Sequence, residues 1–218
     1  MMICGLILAA GVSSRMGACK ALLSLRDGST LLSAQYNLLK NAGCESIAVV
    51  VGANNKDIVK AHEDLDVIWV ENEQWELGQF SSLQCGLDKL LKLSPPPHPS
   101  PLKGEGLNVV ILPIDTVGVE GKTVEILISE AQQDENYDAY VPEYAGRGGH
   151  PILITKKIIT RSLDLDPKNE RARLDFIISE AHHRMVPVDD KGIRNNINTR
   201  SQWRNYISQS QEIFQIIR

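Results

Sequence analysis

A loop near the start of the chain carries the side chains best suited to chemistry. It follows an apolar run, Ile3–Leu8, and contains two cationic residues, Arg15 and Lys20, whose guanidinium and ammonium groups suit phosphate oxygens. Small residues let backbone N–H groups approach a ligand, and successive N–H groups in such a turn form an anion-binding nest. We therefore predict phosphate binding by this loop. Its small and hydroxyl residues are Ala9, Ala10, Gly11, Ser13 and Ser14.

Two other kinds of phosphate loop are excluded by their spacing. A P-loop requires G-x-x-x-x-G-K-[ST], but five residues separate Gly11 from Gly17, and Ala18 follows Gly17. The dinucleotide fingerprint G-x-G-x-x-G is missing as well, which argues against an NAD-binding domain. An ordinary turn between a strand and a helix stays the alternative interpretation.

Short apolar runs are predicted to be the strands that position this loop. They show no alternation of polar and apolar residues, so both faces are expected to be buried, as in parallel strands covered by helices. Ligands bind to such sheets outside the carboxyl ends of the strands, where this loop lies. The predicted strands are Ile3–Leu8, Ser46–Val51, Val67–Val70 and Val109–Pro113.

Helical patterns alternate with these strands and predict a right-handed, doubly wound α/β sheet. Ser29 and Thr30 can cap the first helix, and Gly43 can end it. The predicted helices are Leu31–Ala42, Asp57–Glu63, Ser81–Leu93 and Lys122–Gln132.

The second half of the chain is less regular, and we interpret residues 1–218 as one domain. A segment at about 94–107, with five prolines in residues 94–106, is predicted to be a surface insertion, with a peptide-docking site as the alternative. Strands are expected at 139–141, 152–154 and 184–188, and helices at 169–182 and roughly 201–217.

Composition narrows the classes of protein. The net charge of −4 and the lack of a Lys/Arg-rich run argue against a nucleic-acid-binding scaffold. The four cysteines form no C-x-x-C pair and match no zinc spacing, so free thiols in a reducing compartment are expected. No apolar run approaches the roughly 20 residues that span a bilayer, and a cytoplasmic location is predicted.

The stretch LAAGVSSRMGACK, from Leu8 to Lys20, resembles the signature L-A-[AG]-G-x-[ST]-x-R-M-G-x-x-K of nucleotidyltransferases. By this pattern the chain is similar to the MobA-like NTP transferase family, which includes the molybdenum cofactor cytidylyl- and guanylyltransferases. The resemblance implies a three-layer α/β/α Rossmann-like nucleotidyltransferase fold with a mostly parallel central sheet. It also adds Leu8 and Arg15 to the predicted nucleotide-binding residues.

A second stretch, NEQWELGQFSS, resembles the N-x-x-W-x-x-G-x-x-S-S pattern of the family. It supplies Asn72 and Trp75. The resemblance implies that Gly78, Ser81 and Ser82 border the base and ribose of the nucleotide. The two serines can also cap the helix that follows, and the two roles are compatible.

Two residues are predicted on the metal side of the site. Asp115 follows a buried strand in LPIDTVGV, where a carboxylate is well placed to hold Mg²⁺. Asn198, in NNINTRSQW, is the second ligand by resemblance and offers a neutral amide oxygen. Helix capping is the alternative for both residues. In this last motif Arg200 stands where the family usually has a proline.

A late element, GRGGHPILI, resembles the G-H-P element of the family. The resemblance implies that Gly149, His150 and Pro151 shape the acceptor side of the cleft. No proton-transfer role is assigned to His150.

The resemblance implies an enzyme that transfers a nucleoside monophosphate from an NTP to a phosphorylated acceptor, with Mg²⁺ as cofactor and pyrophosphate as product. Arg15, Lys20 and Asp115 are then the catalytic residues. Arg15 would stabilise the leaving pyrophosphate, and Lys20 would lie near the α-phosphate or the acceptor phosphate. A phosphate monoester has a second pKa near 6 and is mostly ionised at about pH 7, so no catalytic base is required.

The nucleotide base and the acceptor stay open between alternatives. The Ala-Ala-Gly form of the first loop resembles cytidylyltransferases, whereas the Asn-x-Asn-Thr ending favours guanylyltransferases. CTP is favoured over GTP because the first loop lies nearer the base, and molybdopterin is the leading acceptor. A sugar or alditol phosphate is the alternative acceptor, and a non-catalytic nucleotide-binding regulatory domain is the alternative class. No nucleic-acid or membrane partner is expected.

Overall fold

A computed structural model describes residues 1–93 and 106–216 of the chain. The predicted Pro-rich insertion therefore lies outside the described residues, apart from its last two positions. Leu107, one of these, is the first residue of a buried strand, so the insertion ends before it.

Eight strands of the described residues form one mixed sheet in the order β3-β2-β1-β4-β7-β5-β6, with β8 paired to β5. The pairs β1–β2, β2–β3, β1–β4 and β5–β8 are parallel, whereas β7 runs antiparallel to β4 and β5, and β6 antiparallel to β5. The parallel centre confirms the prediction from the sequence. The strands are β1 (Met2–Leu8), β2 (Ser46–Val51), β3 (Ile68–Glu71), β4 (Leu107–Pro113), β5 (Ala139–Tyr144), β6 (Arg147–Gly148), β7 (Ile152–Thr155) and β8 (His183–Pro187).

Helices cover both faces of the sheet. Side chains of β1 alternate between two apolar clusters, with Ile3 and Ile7 in one and Leu6 and Leu8 in the other. Both faces of the central strands are therefore buried, which explains their continuous apolar sequence. The helices are α1 (Leu31–Asn41), α2 (Asn55–Ala61), α3 (Gln79–Leu93), α4 (Gly121–Gln133), α5 (Lys156–Leu163), α6 (Leu174–Ser179) and α7 (Arg200–Ile216).

The start of α1 has the predicted cap. The Thr30 hydroxyl accepts a hydrogen bond from the Ser33 backbone N–H, and Ser33 returns one from its side chain to the Thr30 backbone N–H. Gly43 follows the helix with a φ of 100°, which a glycine adopts without strain.

The single helix predicted over 169–182 is wrong, because α6 covers only six residues. The Asp166 carboxylate accepts from the Lys168 N–H, and the Asn169 amide oxygen accepts from the Arg171 N–H. Such local side-chain bonds offer the backbone an alternative to a helix. Helix α5 directly follows β7 and was not predicted from the sequence.

The cysteines are free thiols, as predicted, and two of them lie deep in the core. Burial raises the pKa of the Cys4 thiol to about 11 and that of the Cys44 thiol to about 12. No helix among the described residues is long and apolar enough to cross a membrane.

Candidate active site

A cleft of about 410 Å³ opens at the carboxyl ends of β1 and β4. These two strands are neighbours, with Leu8 opposite Pro113 in the register. The loop after β1 forms one wall, and Asp115, two residues after β4, lies at the cleft between the strand ends. Of the predicted site residues, the cleft is lined by Leu8, Ala10, Gly11, Ser13, Ser14, Arg15, Lys20, Gly78, Ser82, Asp115 and Asn198.

The loop after β1 is a tight turn with unpaired backbone donors. Ser13 has a φ of 56° and Gly17 one of 63°, and the N–H groups of Met16 and Gly17 both donate to the Ser13 carbonyl. Met16 is 1% exposed, so its side chain anchors the turn in the core. Within the described parts of the chain, the N–H groups of residues 11–15 donate to no protein acceptor. The turn therefore offers a row of donors to an anion.

Lys20 joins the two predicted metal-side residues. Its ammonium nitrogen lies 2.9 Å from Asn198 Oδ1 and 3.3 Å from Asp115 Oδ2. The side chain of Lys20 is only 12% exposed, and that of Asp115 is 29% exposed. Residues far apart in the sequence thus meet at one point, where a positive charge is held by one carboxylate and one amide oxygen.

Backbone bonds between two loops hold Asp115 and Asn198 together. The Ile197 N–H donates to the Asp115 carbonyl at 2.8 Å, and the Val117 N–H donates to the Asn195 carbonyl at 2.9 Å. The Gln202 side chain accepts from the Asn198 backbone N–H, which fixes the entry into α7. The Thr199 hydroxyl accepts from the Gln202 N–H and caps α7, whereas the Asn198 amide oxygen accepts from the Lys20 ammonium group.

Arg200 is a residue whose role sequence reasoning missed. Its Nε donates to the Met16 carbonyl at 2.8 Å, and its Nη2 donates to the Gly17 carbonyl at 3.3 Å. Through these two hydrogen bonds, the first residue of α7 holds the turn that carries Arg15 in place. The only signal in the sequence was that Arg200 stands where a proline is usual in the family.

Arg15 itself is exposed at the cleft. It forms no hydrogen bond or ion pair with any residue that the structure describes. Its guanidinium is therefore available to an incoming anion.

The opposite wall is built on a buried asparagine. Asn72 Nδ2 donates to the hydroxyls of Ser81 and Ser82, each at 3.0 Å, and Asn72 Oδ1 accepts from the Gln74 N–H. These hydrogen bonds hold the start of α3 in place. Trp75, Gly78 and Ser82 from this wall line the cleft.

Two predicted nucleotide-binding residues do not line the cleft. Ala9 is 4% exposed, belongs to the core, and donates its N–H to the Val50 carbonyl. Ser81 is buried, and its hydroxyl donates within the turn, to the Gly78 carbonyl at 2.8 Å. Both residues are buried behind the lining of the cleft.

None of the three predicted acceptor-side residues lines the cleft, but His150 lines an adjoining pocket. Gly149 donates to the Pro142 carbonyl, and His150 donates its backbone N–H to the Ile193 carbonyl at 2.8 Å. His150 and the buried Pro151 are joined by a cis peptide bond. Burial lowers the pKa of the His150 imidazole, and its Nδ1 is buried with no partner among the described residues.

The oxygen atoms present fit a divalent cation that is shared with a ligand. Asp115 Oδ2 and Asn198 Oδ1 already converge on one ammonium group, so one ion could contact both. Among the described residues no cluster of three or more His, Cys, Asp or Glu side chains could hold a metal alone. Mg²⁺ is commonly bound in this way, by one or two protein oxygens together with phosphate oxygens and water.

The fold and the cleft define the class as a nucleotidyltransferase-type α/β domain. The match to the MobA-like NTP transferase domain covers residues 5–185, and the chain belongs to that family. Members of this family are nucleotidyltransferases, which transfer a nucleotidyl group from an NTP to an acceptor. No curated protein matches the sequence closely enough to count as a relative.

Solved structures share the fold over nearly the whole chain. Rv0371c from Mycobacterium tuberculosis is 24% identical with a TM-score of 0.73, covering 95% of this chain and 99% of its own. That protein is also known in complex with manganese, at a TM-score of 0.68, 22% identity and coverage of 95% and 99%.

Two archaeal proteins are similar as well. A nucleotidyl transferase from Methanothermobacter, Mth528, is 19% identical with a TM-score of 0.72 and coverage of 96% and 99%. Molybdopterin-guanine dinucleotide biosynthesis protein A from Archaeoglobus fulgidus is 17% identical with a TM-score of 0.65 and the same coverage.

Proposed function

We propose that the chain transfers a nucleoside monophosphate from an NTP, CTP by preference, to the phosphate of an acceptor, and releases pyrophosphate. The observation that carries the proposal is the meeting of Lys20, Asp115 and Asn198 beside a turn of unpaired backbone donors. A pure binding domain needs the donors of the turn but has no need of a lysine whose ammonium group is shared by a carboxylate and an amide oxygen.

In this reaction an oxygen of the acceptor phosphate attacks the α-phosphorus, the new P–O bond forms, and the bond to the β-phosphate oxygen breaks. The N–H groups of residues 11–15 orient the triphosphate. Arg15, exposed and unpaired among the described residues, neutralises the leaving pyrophosphate. Lys20 moves its ammonium group to the α-phosphate or the acceptor phosphate, and catalysis consists of positioning and charge stabilisation.

Asp115 and Asn198 are the residues that would hold Mg²⁺. When bound, the ion supplies positive charge that offsets the charge on the triphosphate oxygens. The acceptor phosphate has a second pKa of about 6 and is therefore already ionised near pH 7. For this reason the imidazole of His150 is assigned no role as a base.

The preference for CTP depends on the Ala9-Ala10-Gly11 form of the loop, two residues of which line the cleft. Molybdopterin is the preferred acceptor, because the similar protein from Archaeoglobus fulgidus is named as a molybdopterin-guanine dinucleotide biosynthesis protein. Residues of the Asn-x-Asn-Thr ending favour GTP, so the experiment compares both nucleotides.

The test is pyrophosphate release by the full chain with Mg²⁺, comparing CTP, GTP, UTP and ATP against molybdopterin and several alditol phosphates. We expect the highest kcat/KM with CTP and molybdopterin. A higher value with GTP would reassign the base, and one with an alditol phosphate would reassign the acceptor. Nucleotide binding without pyrophosphate release for every pair would favour the regulatory domain instead.

A further inference from the structure

One buried polar side chain interrupts the apolar face of helix α1. Leu31, Gln35 and Leu39 follow one another at intervals of four, so they lie on the same face of the helix. All three side chains are buried, and Gln35 is only 4% exposed. Burying an amide opposes folding unless the amide is hydrogen bonded, so the partners of Gln35 indicate why a glutamine lies at this position.

The amide of Gln35 joins the two ends of the turn that carries Asp115. Its Nε2 donates to the Pro113 carbonyl at 3.1 Å and to the Thr116 carbonyl at 2.8 Å. The Thr116 N–H also donates to the Pro113 carbonyl at 3.1 Å, which closes a four-residue turn. Ile114 and Asp115 are the two central residues of this turn. Because both partners of Nε2 are carbonyls, only the donor end of an amide can occupy this place.

The other end of the Gln35 amide is left without a partner. Its Oε1 is buried and accepts no hydrogen bond from any residue that the structure describes. An unpaired buried acceptor costs free energy, whereas an apolar side chain of the same size would carry no such cost. The packing of α1 therefore does not explain Gln35, and its two bonds to the turn do.

The loop before α7 holds the same turn through separate contacts. The Ile197 N–H donates to the Asp115 carbonyl at 2.8 Å, and the Thr116 hydroxyl donates to Asn196 Oδ1 at 3.2 Å. Gln35 adds a link from α1, a helix that does not line the cleft. The place of the Asp115 carboxylate thus depends in part on a side chain outside the cleft.

We propose that Gln35 is a positioning residue for the metal side of the site. Its amide holds the turn of residues 113–116 so that the Asp115 carboxylate meets a divalent cation shared with the nucleotide. A misplacement of about 1 Å in a reacting group can cost on the order of 10² in rate, so a looser turn affects the metal-dependent step. This role rests on the proposed function, in which Asp115 is a metal ligand.

The first measurement tests the turn itself, in the full chain without ligands. Gln35→Met has a similar length and volume but no donor, and it suits the apolar face of α1, so we expect it to fold. The Thr116 N–H should exchange with solvent at least about fivefold faster in this variant, because losing an amide–carbonyl bond loosens the turn. Hydrogen exchange followed by NMR measures this rate. Gln35→Leu is a second apolar variant and should give the same result.

The second measurement tests the metal side. Titration calorimetry with CTP, once with Mn²⁺ and once with EDTA, gives the factor by which the metal tightens nucleotide binding. Gln35→Met should lower this factor at least about threefold and leave the affinity for CTP in EDTA unchanged. It should also lower kcat for pyrophosphate release by about tenfold. Asp115→Asn is the reference variant and should bring the factor close to one.

Gln84→Met is the matched control. The Nε2 of Gln84 also donates to two backbone carbonyls, those of Ser162 and Leu165, at 2.8 Å and 2.7 Å. None of these three residues lines the cleft. The control therefore removes the same kind and number of hydrogen bonds, and it should keep the wild-type exchange rate at Thr116 and the wild-type effect of Mn²⁺.

The outcomes separate the role of Gln35 from the proposed function. If Asp115→Asn loses the effect of Mn²⁺ and Gln35→Met keeps it, the positioning role is overturned alone, even when the Thr116 N–H exchanges faster. Equal losses in Gln35→Met and Gln84→Met overturn it as well. A full effect of Mn²⁺ in Asp115→Asn, or no binding of any NTP by the wild type, contradicts the proposed function and the positioning role with it.

Discussion

The ammonium group of Lys20 occupies the point at which a bound cation would meet Asp115 and Asn198. It lies 2.9 Å from one oxygen and 3.3 Å from the other, so a divalent ion and this ammonium cannot share the place. In the proposed reaction, the phosphates of an NTP would offer Lys20 a new partner and thereby free both oxygens. Binding of nucleotide and binding of metal are therefore expected to favour each other.

Removing either charged partner should abolish most of the activity. We expect Lys20→Ala and Asp115→Ala each to lower kcat by at least about 10²–10³, the usual cost of losing a group aimed at charge in the transition state. Steady-state pyrophosphate release measures this, with thermal unfolding to show that the variants fold. Lys122→Ala, at an exposed position of α4, is the control and should retain wild-type turnover. Wild-type turnover in either site variant would refute its catalytic role.

Replacing Lys20 with an uncharged residue should help a metal bind alone. Two unit charges about 4 Å apart repel by about 4 kcal/mol at an effective dielectric constant of 20. Lys20→Met should therefore bind Mn²⁺ without nucleotide at least about tenfold more tightly than the wild type, a difference of about 1.4 kcal/mol. Electron paramagnetic resonance of free Mn²⁺ measures the affinity. Asp115→Asn is the control and should weaken binding, whereas equal affinities in wild type and Lys20→Met would contradict the competition.

At the scale of residues, sequence reasoning could find groups but not their orientation. Lys20, Asp115 and Asn198 were predicted one by one, and the structure brings them to one point. Ala9 and Ser81 have the right types, but their N–H and hydroxyl groups bond inside the protein. Which way such a group points depends on tertiary contacts that a motif does not contain.

At the scale of elements, the start of α7 contacts the turn after β1 and directly follows the loop that holds Asn198, a proposed metal ligand. Arg200 ties α7 to the Met16 and Gly17 carbonyls, so Arg200→Ala should loosen the turn that carries Arg15. We expect the KM for the NTP to rise about fivefold to tenfold, in line with the loss of charged hydrogen bonds, while kcat changes less. Arg200→Lys should recover part of the loss.

The control for this position is Arg204→Ala, exposed one turn later on α7. It should leave the KM for the NTP unchanged. Equal effects of Arg200→Ala and Arg204→Ala on KM would show that the effect comes from the positive charge of α7 in general rather than from the hydrogen bonds of Arg200 to the turn.

Helix α3 packs closely against the side chains of β1 and β2 at Gly86. A methyl group at Gly86 would lie 2.9 Å from the Val50 Cγ2 and would also collide with Leu6. Gly86→Ala should therefore lower the free energy of unfolding by about 1–3 kcal/mol, despite the better helix propensity of alanine. Urea denaturation measures this change.

A matched glycine is available on another helix. At Gly121, in α4, the nearest atom to an added methyl group is 4.0 Å away. Gly121→Ala should leave stability unchanged or raise it by up to about 1 kcal/mol. A stable Gly86→Ala variant would mean that α3 lies further from β1 than the structure has it.

Among the elements, regular alternation was predictable and local interruption was not. The strands β1 to β4 and the helices α1, α3 and α4 follow from continuous apolar runs and helical periodicity. The helix predicted over 169–182 shrinks to α6, because Asp166 and Asn169 bond to nearby backbone N–H groups and favour turns. Helix α5 is short and follows its strand without a separating turn, so no turn in the sequence marks where the helix begins.

At the scale of the whole molecule, the two halves of the sheet differ in how far sequence determines them. The order β3-β2-β1-β4 is the parallel arrangement that alternating strands and helices predict. Beyond β4, the four-residue strand β7 inserts antiparallel between β4 and β5, and β8 joins β5 on its other side. Such pairings join distant segments, and the pattern of a short strand carries no information on its partner.

This arrangement explains why a second pocket adjoins the cleft. The cleft lies at the ends of β1 and β4, and the adjoining pocket extends to Ile152 at the start of β7. The antiparallel direction of β7 places its first residue, rather than its last, at that edge of the sheet. The parallel half thus carries the predicted phosphate-binding residues, and both halves line the adjoining pocket.

The proposed reaction cleaves an NTP between its α- and β-phosphates and joins the α-phosphate to an acceptor. The most direct measurement uses CTP labelled with ³²P at either the α- or the γ-position, with Mg²⁺ and a phosphorylated acceptor. We expect the α-label to appear on the acceptor and the γ-label to appear in pyrophosphate, and we expect Asp115→Ala to produce neither. Release of the γ-label as inorganic phosphate with the α-label in CDP, or no transfer of the α-label to any acceptor, would contradict it.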